Sequence, residues 1–195
     1  MGKKEILKKR NKKRAKTLEH KRKIKSFEEI IFSQAFSIIG GLTAGTLLAI
    51  YTDRILLIPG LFILLPGFLE MGNAISGSLS ARISSKLHLR ELTHSILIKN
   101  IIASFVLIIL SSISLGAITY LLSRFIFGID NLRLILIPIV AAVISGIILL
   151  PLTSKITITL YHHHEDPDNL IGASSTTLGD IINIGAILLA ITILL

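Results

Sequence analysis

Residues 96–122 read ILIKNIIASFVLIILSSISLGAITYLL and carry a single charge, Lys99. A helix needs about 20 apolar residues to cross roughly 30 Å of hydrocarbon, and this stretch supplies them. In lipid the backbone must satisfy its own hydrogen bonds, which a helix does within one segment. The stretch is therefore a transmembrane helix, and the fold class is all-α integral membrane. Outward from it, four more stretches qualify. Residues 30–50 are a first span, closed by the polar Tyr51-Thr52-Asp53-Arg54. A second begins at Ile55, is expected to be broken by Pro59-Gly60 and Pro66-Gly67, and continues through EMGNAISGSLSARI, which is weakly hydrophobic and rich in small residues. Residues 134–160 form a fourth span with Pro138 and Pro151 inside it, and residues 170–195 a fifth.

The rest of the composition agrees. The 195 residues are 51% hydrophobic with mean hydropathy +0.74 and 17% charged, where a soluble domain carries about 25% charge. Of the 21 Lys and Arg, 13 fall between Lys3 and Lys25. Without that tail, the body is too apolar to face water, which excludes a soluble globular enzyme. There is no G-x-S-x-G, no H-E-x-x-H and no Walker loop, so no enzyme is expected. The absence of cysteine excludes disulfides, thiolate metal sites and cysteine nucleophiles. Residues 1–26 read as a basic cytoplasmic tail rather than a signal peptide, since the basic run is too long and the apolar run that follows exceeds the usual length. Clustered cations can bind nucleic acid. Next to a membrane segment, anchoring to anionic headgroups is the better reading, and the bilayer rather than nucleic acid is the expected partner.

Cations also set the orientation. With the tail inside, Arg82, Lys86, Arg90 and Lys155 fall inside, together with the YHHHEDPD link at 161–168. The outer links keep only Arg54, Arg124 and Arg133, two of them offset by Asp53 and Asp130. Five spans, N-terminus in and C-terminus out, in a multi-pass protein of the cell membrane, is the expected topology.

A carboxylate inside a bilayer is expensive and marks a functional site by default. Two acids lie deep in apolar sequence, Glu70 in the second span and Asp180 in the fifth. Either could also be a neutral acid bonded to a neighbouring helix. Helix positions three and four apart share a face. Thr176, Thr177 and Asn183 therefore join Asp180 on an oxygen-bearing stripe, with Gly172, Ala173 and Gly179 permitting close approach. Glu70, Asn73, Gly77 and Ala81 form the matching stripe of the second span, with Ser76 and Ser80 one position off it. Carboxylate, amide and hydroxyl oxygens are hard ligands, suited to Mg²⁺ or Ca²⁺. His162, His163 and His164 point three ways on a helix and lack the further ligands of a tetrahedral site, so a solvated interfacial cluster is the better reading. Asp166 before Pro167 suits an N-cap with proline at the first helical position, or a ligand at the cytoplasmic mouth about 21 Å from Asp180 along one helix.

The segment DPDNLIGASSTTLGDIIN, residues 166–183, resembles the last-helix motif of the MgtE magnesium channels and their eukaryotic solute-carrier relatives: Asp-Pro, small residues, then Thr/Ser-Leu-x-Asp. LLPGFLEMGNAISGSLSARISS in the second span is similar to the family's proline followed by Gly-Asn, small residues and an arginine, with Gly72, Asn73 and Arg82 in those places. The likeness extends in outline over residues 27–195. It implies a five-helix transmembrane domain that pairs into a homodimer, with the second and fifth helices lining an ion path between protomers. Asp180 falls on the family's central pore aspartate, Asp166 on an acidic position at the cytoplasmic end of that helix, Thr176 on a pore-lining position and Asn73 on a pore-side asparagine. Glu70 has no clear counterpart, and it and Asn183 are metal candidates from chemistry alone. The chain departs from the bacterial pattern in having a 26-residue basic tail where those proteins carry a large soluble sensor, and in having one glycine before Asn73 where two are usual. The expected function is transport of a divalent cation, Mg²⁺ first, with no organic cofactor. A proton- or sodium-coupled carrier using Asp180, and a non-transporting membrane subunit that docks partners through its tail, stand as alternatives.

Overall fold

The computed structural model describes residues 27, 31, 34, 35, 37–162 and 167–195, and the side chains of all these except 167–175. The expectations for residues 1–26, His163, His164 and Asp166 lie outside the described residues. Among the described residues the regular elements are all helices: α1 (Ser37–Ile50), α2 (Thr52–Leu56), α3 (Leu61–His88), α4 (His94–Phe127), α5 (Arg133–His162) and α6 (Pro167–Leu194). Helices α3, α4 and α5, and α6 from Thr176 on, are each long and apolar enough to cross a membrane. Helix α1 is 14 residues as described, about 21 Å at 1.5 Å per residue. Four long apolar helices, and α1 as far as it is described, thus stand where the sequence suggests five spans.

The second span differs from expectation at one of its two Pro-Gly pairs. Pro59-Gly60 does turn the chain, and Gly60 lies so close to the Ser123 and Leu134 side chains that a Cβ there would collide with both. Pro66-Gly67 does not interrupt α3, which runs through it. A proline inside a helix removes one backbone donor, so only the Phe62 carbonyl loses its helical partner, close to the helix start. Other boundaries follow local chemistry. Thr93 caps α4, its hydroxyl accepting from the Ile96 amide at 3.3 Å. Gly128 ends α4 at φ +66°, with the Ile129 amide bonding back to the Ser123 carbonyl at 3.4 Å, the left-handed stop that glycine adopts freely.

Helices α3 and α5 form the centre, each packed against the other three long helices, with α4 and α6 on opposite flanks. The core of α3, α5 and α6 is large and apolar, with Leu61, Leu64, Phe68, Leu134, Ile137 and Ile187 fully buried, whereas α4 turns mostly small or hydroxylated residues inward, as lipid-embedded packing favours. On α4, Ser104, Ile108, Ser112, Gly116, Thr119 and Ser123 are buried while Ile102, Val106, Leu110, Ile113 and Leu121 are exposed. Gly116 lets α4 close on α5, since a Cβ there would sit 3.0 Å from Ile135 backbone atoms and from the Pro138 ring. Several buried hydroxyls bond a carbonyl one turn back, as Ser154 does to Leu150 and Thr157 to Thr153, both at 2.8 Å. Polar links also cross between helices, among them Ser80 with Thr157 at 2.9 Å, and Arg82 Nη2 donating to Ser104 Oγ at 2.9 Å. Successive long helices run in alternate directions. The Tyr161 hydroxyl donates to the Leu87 carbonyl at 3.1 Å, which places the ends of α3 and α5 together. Gly60, Ser123 and Leu134 mark the opposite end.

Candidate functional site

Asn73 lies about 18 Å along α3 and Asp180 about 20 Å along α6, near the middle of each helix. The two residues, 107 apart in sequence, meet: Asn73 Nδ2 donates to Asp180 Oδ1 at 2.7 Å. A hydrogen bond to a charged group contributes about 1.5–3 kcal/mol. Both side chains are half-buried.

Two glycines allow this approach, and the exchange is reciprocal. The Asn73 side chain occupies the space where a Cβ of Gly179 would be, and the Asn183 side chain occupies that of Gly72. Each helix thus places an asparagine against a glycine of the other. One turn N-terminal on α6, Thr177 is buried, donates to Ser37 Oγ at 3.1 Å and packs its methyl on Gly40. Helix α1 docks on α6 at that point.

The charge at Asp180 is uncompensated among the described residues. The ion pairs there, Lys86–Glu91 at 2.7 Å and Arg124–Asp130 at 3.7 Å, lie at helix ends. The half-buried Arg82 guanidinium serves Ser78 and Ser104 instead. A carboxylate at mid-helix, with one neutral amide donor and no cation, attracts a positive ion.

The expected stripe of α3 does occupy one face, and the other described residues leave most of that face open. Glu70, Ala74, Gly77, Ser78, Ala81 and Ser85 are exposed, while Ser76 and Ser80 are buried. Glu70 forms no bond to Asn73 or Asp180 and has no hydrogen-bond partner among the described residues. Thr176 lies exposed one turn before Asp180. Asn183 is fully buried. Among the described residues no three His, Asp or Glu form a group able to hold a metal ion, so oxygens of other kinds, or water, would complete any shell at Asp180. His162 ends α5, exposed and edge-on to the Tyr161 ring at 6.0 Å, and Tyr161 meets His88 in the same way at 5.2 Å.

Sequence periodicity places Asp180 and Asn73 on candidate faces without saying that they touch. It also misses the contributions of Ser37 and Gly40, which sit in an apolar helix with no motif around them. The signal the sequence offers is a glycine directly before each partner of the contact, Gly72-Asn73 and Gly179-Asp180.

The model of the MgtE family, described as a divalent cation transporter, matches residues 65–191. The chain belongs to the MgtE family. The match takes in Asn73 and Asp180 and nearly all of the four long helices that carry them. The MgtE family is one of transporters, not of enzymes. With four long apolar helices, this member is a multi-pass membrane protein of a divalent cation transporter family. Nothing matches among curated proteins or among solved structures.

Proposed function

We propose that the protein conducts Mg²⁺ across the cell membrane along a path lined by α3 and α6, at the interface of two copies of the chain. The observation that carries this reading is the Asn73–Asp180 contact at mid-helix, beside an open α3 face of small and polar residues. One carboxylate cannot neutralise a divalent ion. Two related by a twofold axis supply a formal charge of about −2, and such isologous pairing is the commonest symmetry of oligomers. Mg²⁺ sheds water reluctantly and keeps several waters. Asp180 holds the hydrated ion by charge, with Asn73 and Thr176 offering amide and hydroxyl oxygens to its water shell. Glu70 and Asp166 draw cations toward either end of the path. Loose, water-mediated binding also permits release, which conduction requires.

The test is purified protein in liposomes loaded with a magnesium-sensitive dye, with no proton or sodium gradient imposed. The expected result is Mg²⁺ entry down its own gradient, and two chains per particle by native mass spectrometry. Entry that appears only under a proton or sodium gradient would make the protein a coupled carrier, and a transporting monomer would remove the interface.

A further inference from the structure

Between Lys99 and Arg124 on α4, and between Arg133 and Lys155 on α5, no residue is charged. The two lysines thus interrupt otherwise apolar surfaces, and both are exposed. Lys99 lies one turn from Ile102 and two from Val106, and Lys155 one turn from Pro151 and two from Ile148, all of them exposed. Positions three, four and seven apart share a helix face, so each lysine belongs to the lipid-facing stripe of its helix. Neither has an ion-pair partner among the described residues, and the Glu91 carboxylate near this end is already held by Lys86 at 2.7 Å.

The packing of α4 on α5 puts the two lysines at one level. A Cβ on Gly146 would lie 3.4 Å from the Ile108 side chain, so those positions face each other. Lys155 comes nine residues after Gly146 and Lys99 nine before Ile108. The helices run in opposite directions, so both lysines lie about 13.5 Å from that contact and on the same side of it. Packed helices are about 8–10 Å apart, a gap that two long side chains can bridge to one shared group.

Helix length sets their depth. Helix α4 has 34 residues and α5 has 30, about 51 and 45 Å at 1.5 Å per residue, against about 30 Å of hydrocarbon. Each therefore extends about 7–11 Å beyond the hydrocarbon at either end. Lys99 is five residues inside the start of α4 and Lys155 seven before the end of α5, which is also about 7–11 Å. Both residues sit at the hydrocarbon edge, where a long side chain carries its ammonium outward to the level of the phosphates. A bare ammonium at the edge of lipid is costly, and one with no protein carboxylate beside it takes its counter-ion from the headgroups.

We infer that Lys99 and Lys155 together hold the phosphate of one anionic phospholipid, whose acyl chains lie along the exposed Ile102, Val106 and Ile148. The site is separate from the ion path and from residues 1–26, and it stands whichever way the chain is oriented. A zwitterionic lipid brings the same phosphate with its charge cancelled by its own cation, so the pair selects for net negative charge.

The chain has no tryptophan, so Ile102→Trp introduces a single reporter beside Lys99. The full chain is reconstituted in bilayers of phosphatidylcholine and phosphatidylglycerol, with one lipid or the other brominated to quench the indole. Phosphatidylglycerol should be favoured at position 102, and neither lipid at position 121 in a Leu121→Trp chain, toward the other end of the same helix. A lysine near an anionic surface is worth about a fivefold preference. Lys99→Gln or Lys155→Gln should therefore each lower the association ratio of phosphatidylglycerol over phosphatidylcholine at position 102 about fivefold, and both together about 30-fold. Lys99→Arg combined with Lys155→Arg should keep the ratio. Attraction by the basic residues 1–26 is common to all these chains and cancels in the comparison. If an indole at 102 prevents a monodisperse preparation, Val106→Trp reads the same lipid one turn further along. Lysines that merely anchor each helix by itself predict that only Lys99→Gln moves the ratio at position 102. A ratio unmoved by Lys155→Gln would therefore overturn the shared site, as would equal ratios at positions 102 and 121 when both lysines are present.

Discussion

Replacing Asp180 by asparagine takes the carboxylate from the middle of α6 while changing the side chain's shape very little. Two effects can be separated in size. The Asn73 amide can still donate at 180, but to a neutral oxygen, so a bond of about 1.5–3 kcal/mol becomes one of about 0.5–1.5. The loss to folding is then about 1 kcal/mol, and the reciprocal Asn–Gly packing of α3 on α6 stays intact. The loss to the ion is larger. Two unit charges at about 4 Å attract by ~1 kcal/mol with the screening of water and ~4 kcal/mol with that of a protein surface. Doubled for a divalent ion, the range is about 2–8 kcal/mol per carboxylate, and even its lower end weakens binding roughly 30-fold. Asp180→Asn protein should therefore purify as a monodisperse species with a slightly lowered melting temperature, and dye-loaded liposomes should show Mg²⁺ entry cut at least tenfold. A packing carboxyl that is neutral in the membrane would behave otherwise, since an amide of the same shape would change entry little. Wild-type entry from folded Asp180→Asn protein would refute the assignment of Asp180 to the ion path.

Gly116→Val drives a branched side chain into the Ile135 backbone and the Pro138 ring; it should destabilise the α4–α5 pair by about 1–3 kcal/mol, read as a lower melting temperature in detergent. Arg90 holds a left-handed φ of 57° after α3, a conformation that costs a non-glycine residue about 1–2 kcal/mol, so Arg90→Gly should raise the melting temperature. Single cysteines in place of the exposed Leu89 and Leu132, in a chain with no native cysteine, test the orientation. An impermeant maleimide added outside cells should label position 132 and spare position 89, and the opposite pattern would invert the topology.

Sequence by itself determined where the long helices lie, because crossing lipid demands an unbroken apolar run and such runs are visible one residue at a time. The ends of α4 were read less closely: the span at 96–122 falls short of Phe127, and the signals that set its limits, Thr93 and Gly128, act on backbone groups within a turn of themselves. The chemistry of the site was legible too, since a carboxylate such as Asp180 in an apolar helix stands out against any background. The behaviour of Pro66 was not, because a proline near a helix start can either turn the chain or be carried through, and neighbouring helices decide which. Tertiary structure alone decided that Asn73 reaches Asp180, that Asn183 is sealed against Gly72, and that the Glu70 face of α3 stays open while Ser76 and Ser80 turn inward. Periodicity fixes which residues share a face, but not the rotation of one helix against the next. That rotation is set by which glycines admit which side chains, a property of two surfaces in contact rather than of either strand of sequence.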